Sequence, residues 1–91
     1  MMKYMSSDKE LERLRRHIDA ADQKIVEGLK ERMEAVLEIG EYKSENEKDV
    51  HDPKRVKEVL DTRATMGGKN LSPEFMRELF RMIIKYSEEL Q

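Results

Sequence analysis

Residues 8–45 read DKELERLRRHIDAADQKIVEGLKERMEAVLEIGEYKSE, and this stretch decides the fold. It contains no proline, and only Gly28 and Gly40 interrupt a run of good helix formers. Its apolar residues Leu11, Leu14, Ile18, Ala21, Ile25 and Leu29 recur in steps of three and four, and Val36 and Ile39 resume the pattern. That is the period of one buried helix face. The spacing predicts a single helix over about 8–45, roughly 57 Å long at 1.5 Å per residue. A compact chain of this size has a radius of gyration of only about 12 Å. One copy cannot cover such a helix along its length, so a second chain is expected to help.

Two cations interrupt the apolar face. At 100° per residue Arg32 has the direction of Leu14, and Lys43 that of Ile25. They share a face to within about 20°, some 16 Å apart along the axis. A cation in a core stripe is costly unless it pairs or snorkels to water. Two of them on one stripe suggest a pocket for an anion. Arg15 points about 100° away from Arg32, toward a second flank made by Val26, Met33 and Leu37. It therefore reads either as an exposed cation or as a residue serving a different pocket from the one Arg32 serves.

The remaining composition narrows the function. The 91 residues make one domain, 1–91, with 42% charged residues but a formal net charge of only −2. No basic excess points to nucleic acid. There is no cysteine, and the two histidines, His17 and His51, are too scattered for a metal cluster. No apolar run approaches a membrane span and no signal-peptide core opens the chain, so neither membrane nor export is expected and a cytoplasmic protein is.

Met1 to Met5 carries no pattern and reads as a frayed start, with Ser6, Ser7 or Asp8 as cap of the long helix and Glu10 near its positive end. The polar run from Ser44 to His51 should end it. Asp52-Pro53 then opens a second helix, about 53–65, with Val56, Val59, Leu60 and Ala64 on one face and Arg55 in the first turn. Arg55 is a surface cation on spacing alone. Gly67-Gly68 is a turn and not a phosphate loop, since no strand or Gly-Lys-Ser/Thr pattern accompanies it. Ser72-Pro73 opens a third helix, about 73–91, whose expected buried face is Phe75, Met76, Leu79, Phe80, Ile83 and Leu90. Ser87 lies on that face and Gln91 near its edge. Each reads either as an ordinary core or terminal residue or as a pocket lining.

The order Leu14-Arg15-Arg-His-Ile-Asp-x-x-Asp22, Leu29-x-x-Arg32, Ile39-Gly40-x-x-Lys43, Asp52-Pro53-x-Arg55 and Phe80-x-x-Ile83-Ile84-x-x-Ser87-x-x-x-Gln91 resembles the all-helical chorismate mutases over roughly 10–91. The resemblance implies an all-α fold: a three-helix protomer with one very long N-terminal helix, in an intertwined homodimer with two equivalent sites. It implies the conversion of chorismate to prephenate in aromatic amino-acid biosynthesis, an intramolecular Claisen rearrangement that uses no metal or cofactor. Arg15 would reach into the partner chain's site, while Arg32, Lys43, Asp52, Arg55, Ser87 and Gln91 line their own. Arg15 and Arg32 would hold carboxylates. Lys43 and Gln91 would donate to the ether oxygen, and Asp52 its backbone N–H to the ring hydroxyl. Arg55 and Ser87 would support the carboxylate end. One position departs from the family pattern: many of these enzymes have Glu directly after Arg55, where this chain has Val56. Val at that place also occurs in isochorismate-pyruvate lyases of the same fold, which remain the alternative activity. A non-catalytic helical dimerisation module is the alternative of another class, and it leaves Arg32 and Lys43 unexplained.

Overall fold

A computed structural model describes residues 2–91, with side chains from Asp8 onward. The described chain is all helical: α1 (Met2–Glu45), α2 (Pro53–Ala64) and α3 (Pro73–Leu90). The residues fall into two units, Met1–Arg32 and Met33–Gln91.

The first unit is the N-terminal part of α1. The helix starts at Met2 rather than at a cap among Ser6, Ser7 and Asp8. Nothing before Asp8 is a proline or glycine, so the helical hydrogen bonds run straight through those residues. The whole of α1 is 44 residues, roughly 66 Å at 1.5 Å per residue. Its expected core stripe is exposed in the single chain: Leu11, Leu14, Ile18 and Ile25 all remain accessible, with Ile18 at 59% and Ile25 at 60%, and Val26 of the second flank is exposed too.

The second unit holds the packed core. Val36 of α1, Val59 and Ala64 of α2, and Met76 and Ser87 of α3 are buried. α1 ends in a tight reversal. The Lys48 N–H donates to the Lys43 carbonyl at 2.7 Å and the Glu47 N–H to the Ser44 carbonyl at 3.3 Å, with Glu47 at φ 52. This is a Schellman cap with glutamate where glycine is usual.

The two later helices start as the sequence predicts. The Asp52 carboxylate accepts from the Arg55 N–H at 3.2 Å, with Pro53 in the first turn. The Ser72 hydroxyl oxygen accepts from the Phe75 N–H at 3.1 Å, with Pro73 behind it. Between them, both glycines of the turn are required. A Cβ on Gly67 would lie 2.6 Å from Leu71, and Gly68 sits at φ +66. α2 ends at Ala64 and α3 at Leu90, with Thr65 and Gln91 as their C-caps. The expected α3 face is only partly covered. Met76 is buried and Phe80, Ile83 and Leu90 are half-buried, whereas Phe75 and Leu79 are exposed.

Candidate functional site

Five of the sequence-predicted site residues, Lys43, Asp52, Arg55, Ser87 and Gln91, lie in the second unit, and the structure fixes each differently. Lys43 sits in the last turn of α1, half-buried. Its ammonium donates to the Val50 carbonyl at 3.0 Å. A cation on a partly apolar face thus finds a neutral backbone acceptor rather than a carboxylate, so its charge is not cancelled. The connection carrying that carbonyl is also tied to α3, since His51 Nδ1 lies 3.3 Å from Glu88 Oε1.

Ser87 is 5% exposed, and its hydroxyl donates to the Ile83 carbonyl at 2.7 Å, with Met33 Sδ 3.7 Å away. The hydroxyl therefore places a small polar group where α3 meets α1 without an unmet donor. Four residues on, the Gln91 N–H donates to the Ser87 carbonyl at 3.3 Å and ends the helix. The Gln91 side chain turns back onto α1. Its carbons lie 3.3–3.4 Å from where a Cβ on Gly40 would stand. The carboxamide oxygen is buried and accepts no hydrogen bond from the described residues. A buried polar atom left so is uncommon and asks for an explanation.

Asp52 and Arg55 are exposed at the start of α2. One oxygen of the Asp52 carboxylate accepts from the Arg55 N–H as the helix cap. The Arg55 guanidinium pairs with Glu58 on its own helix. Such a surface pair contributes about 0–1 kcal/mol and is readily exchanged for a ligand carboxylate. Val56 is half-buried beside it.

In the first unit, Arg15 is exposed and Arg32 half-buried. Sequence reasoning missed the Val50 carbonyl and the His51–Glu88 tie. It had Gly40 as part of a motif but gave it no task. A carbonyl leaves no signature in the sequence, and the other two depend on tertiary contacts. Among the described residues, no three His, Cys, Asp or Glu side chains converge as a metal-binding group. No described helix is long and apolar enough to cross a membrane. The second unit thus carries a half-buried ammonium at Lys43, a buried carboxamide oxygen at Gln91, a Ser87 hydroxyl bonded within its own helix and an exposed guanidinium at Arg55.

The family model for chorismate mutase type II matches residues 14–91, and the chain belongs to that family. The resemblance legible in its motifs is borne out. The chain is similar to the bifunctional chorismate mutase/prephenate dehydratase of Buchnera aphidicola subsp. Acyrthosiphon pisum, 37% identical over 78 residues, covering 85% of this chain and 20% of that protein. The protein of the same description from Escherichia coli strain K12 is 33% identical over 84 residues, covering 91% of this chain and 22% of its own length. The 4-amino-4-deoxychorismate mutase of Streptomyces pristinaespiralis is 32% identical over 75 residues, covering 81% and 58%. The chain thus spans about a fifth of the length of the bifunctional relatives it matches. No solved structure matches it.

Proposed function

We propose that this chain is a chorismate mutase that rearranges chorismate to prephenate as a single homodimeric helical domain. The reading is carried by the family match over residues 14–91, which takes in every candidate site residue from Arg15 to Gln91. The reaction breaks an ether C–O bond and forms a C–C bond within one molecule, so no nucleophile is needed. The protein's work is to hold a flexible dicarboxylate in its compact reactive shape and to stabilise charge gathering on the ether oxygen.

In this reading Arg32 and the partner subunit's Arg15 grip the carboxylates, since guanidinium forks match them in two-point contacts. Arg55 exchanges Glu58 for substrate, and Ser87 supports the same end. Lys43 and Gln91 donate to the ether oxygen. The buried carboxamide oxygen of Gln91, which accepts no hydrogen bond among the described residues, supports this role, because a rotation about its last torsion presents the NH2 in place of the oxygen. The Asp52 backbone N–H meets the ring hydroxyl.

The homodimer is supported by the exposed apolar stripe on α1. A second stripe on α3, Phe75, Leu79, Met82 and Tyr86 at steps of four and three, is exposed as well. Rows of exposed apolar side chains at helical spacing mark interaction faces. A second copy, presenting the same surfaces in return, is its natural cover.

Val56 favours one second reading, the isochorismate-pyruvate lyase, because no carboxylate is offered at that position to the ring hydroxyl. Incubation with chorismate and, separately, with isochorismate under absorbance decides. Loss of chorismate with formation of prephenate is expected. Salicylate formed from isochorismate identifies the lyase, and no reaction with either leaves the non-catalytic module.

A further inference from the structure

We propose that Gly40 is a positioning residue: the bare backbone at this point of α1 sets the depth at which the Gln91 carboxamide sits in the site. The inference rests on the catalytic reading of Gln91 given above. A Cβ at residue 40 would lie 3.3 Å from Gln91 Cα, 3.3 Å from its Cγ and 3.4 Å from its Cβ. These are tighter than ordinary van der Waals contacts, so Gln91 could not keep its place against alanine without moving by a few tenths of an ångström. The other glycine of α1, Gly28, has nothing within 4 Å of such a Cβ. Gly40 is therefore the glycine of α1 that the second unit uses. It precedes Lys43 by three residues, roughly 4.5 Å along the axis, so Gln91 is seated against the same stretch of helix that carries the ammonium. The Gln91 backbone is meanwhile held by its bond to the Ser87 carbonyl at 3.3 Å, and its buried carboxamide oxygen has no partner among the described residues to fix it. The close approach to α1 at Gly40 is the contact that locates the group in this inference.

Gly40→Ala tests this, because alanine in a helix interior ordinarily strengthens it. A merely structural glycine would thus give a variant of equal or higher Tm and normal turnover. A positioning glycine gives equal or higher Tm with kcat lowered about tenfold and KM changed much less, as small misplacements of a reacting group do. Gly40→Ser should lower kcat at least as far. In a Gln91→Ala background, Gly40→Ala should cost nothing more, since the two residues act as one unit. The proposal is overturned if Gly40→Ala has normal kcat, if it lowers kcat equally with and without the Gln91 side chain, or if it loses its helical circular dichroism. Normal kcat in Gln91→Ala alone would instead remove the catalytic reading of Gln91 on which the proposal stands.

Discussion

Lys43→Met separates a catalytic lysine from a structural one. Methionine keeps most of the aliphatic stem and removes the ammonium. The structural loss is the 3.0 Å bond to the Val50 carbonyl. Val50 is only half-buried, so stranding that acceptor should cost about 1 kcal/mol. For a chain of this size that is a fall in Tm of about 4–8 °C. The catalytic loss is larger. Removing one preorganised donor to a developing negative oxygen costs on the order of 3 kcal/mol, about a hundredfold or more in kcat. A structural role therefore moves Tm and spares turnover, while a catalytic role moves turnover far more than KM. Continuous loss of chorismate absorbance gives kcat and KM, and circular dichroism gives Tm on the same preparation. A folded, dimeric Lys43→Met with kcat within about threefold of wild type would refute the assignment of Lys43 to the ether oxygen.

The shared-site reading predicts rescue between inactive variants. Arg15→Ala and Arg32→Ala, mixed and allowed to exchange subunits, should recover about a quarter of wild-type activity, because mixed dimers form half the population and each keeps one intact site of two. No recovery after exchange is confirmed would place both arginines in one chain's site. Association itself is tested by Ile18→Ala. Burying the 59% of Ile18 now accessible and then removing three of its carbons loses about 1.4 kcal/mol per copy. Over a symmetric pair this weakens the dimer Kd about a hundredfold. Sedimentation at graded concentrations measures that shift, and a folded, active wild-type monomer at micromolar concentration would sink the dimer.

Local chemistry was legible in the sequence where a side chain acts on its own backbone. Asp52-Pro53 and Ser72-Pro73 announce helix starts because each cap is complete within four residues. The length of α1 was legible from its missing proline and its apolar period. Its beginning was not, since nothing in Met2 to Ser7 stops a helix. Its end was legible only as a polar run: a glutamate at positive φ defies the preference that would have flagged the position. The face of α3 was overread at Phe75 and Leu79, because an apolar residue at core spacing looks the same whether its own chain or another covers it. At the site, Lys43 and Arg32 stood out as cations at apolar angles. The acceptor that holds Lys43 and the approach of Gln91 to Gly40 arise only once the chain has folded back on itself.

The split of α1 between two units has a kinetic consequence. Residues 33–91 bring α2 and α3 together through a connection of eight residues, Thr65 to Ser72, a local closure that proceeds at a rate independent of how much protein is present. The stripe of the first 32 residues finds no such cover within its own length. With a second copy as the proposed cover, its ordering is a second-order encounter. Refolding should then run in two phases: a fast one that restores helical signal at any dilution, and a slower one that scales with concentration and brings back activity. In a cell making few copies, the wait for a partner, rather than the folding of the chain, would set when a newly made molecule begins to turn over substrate.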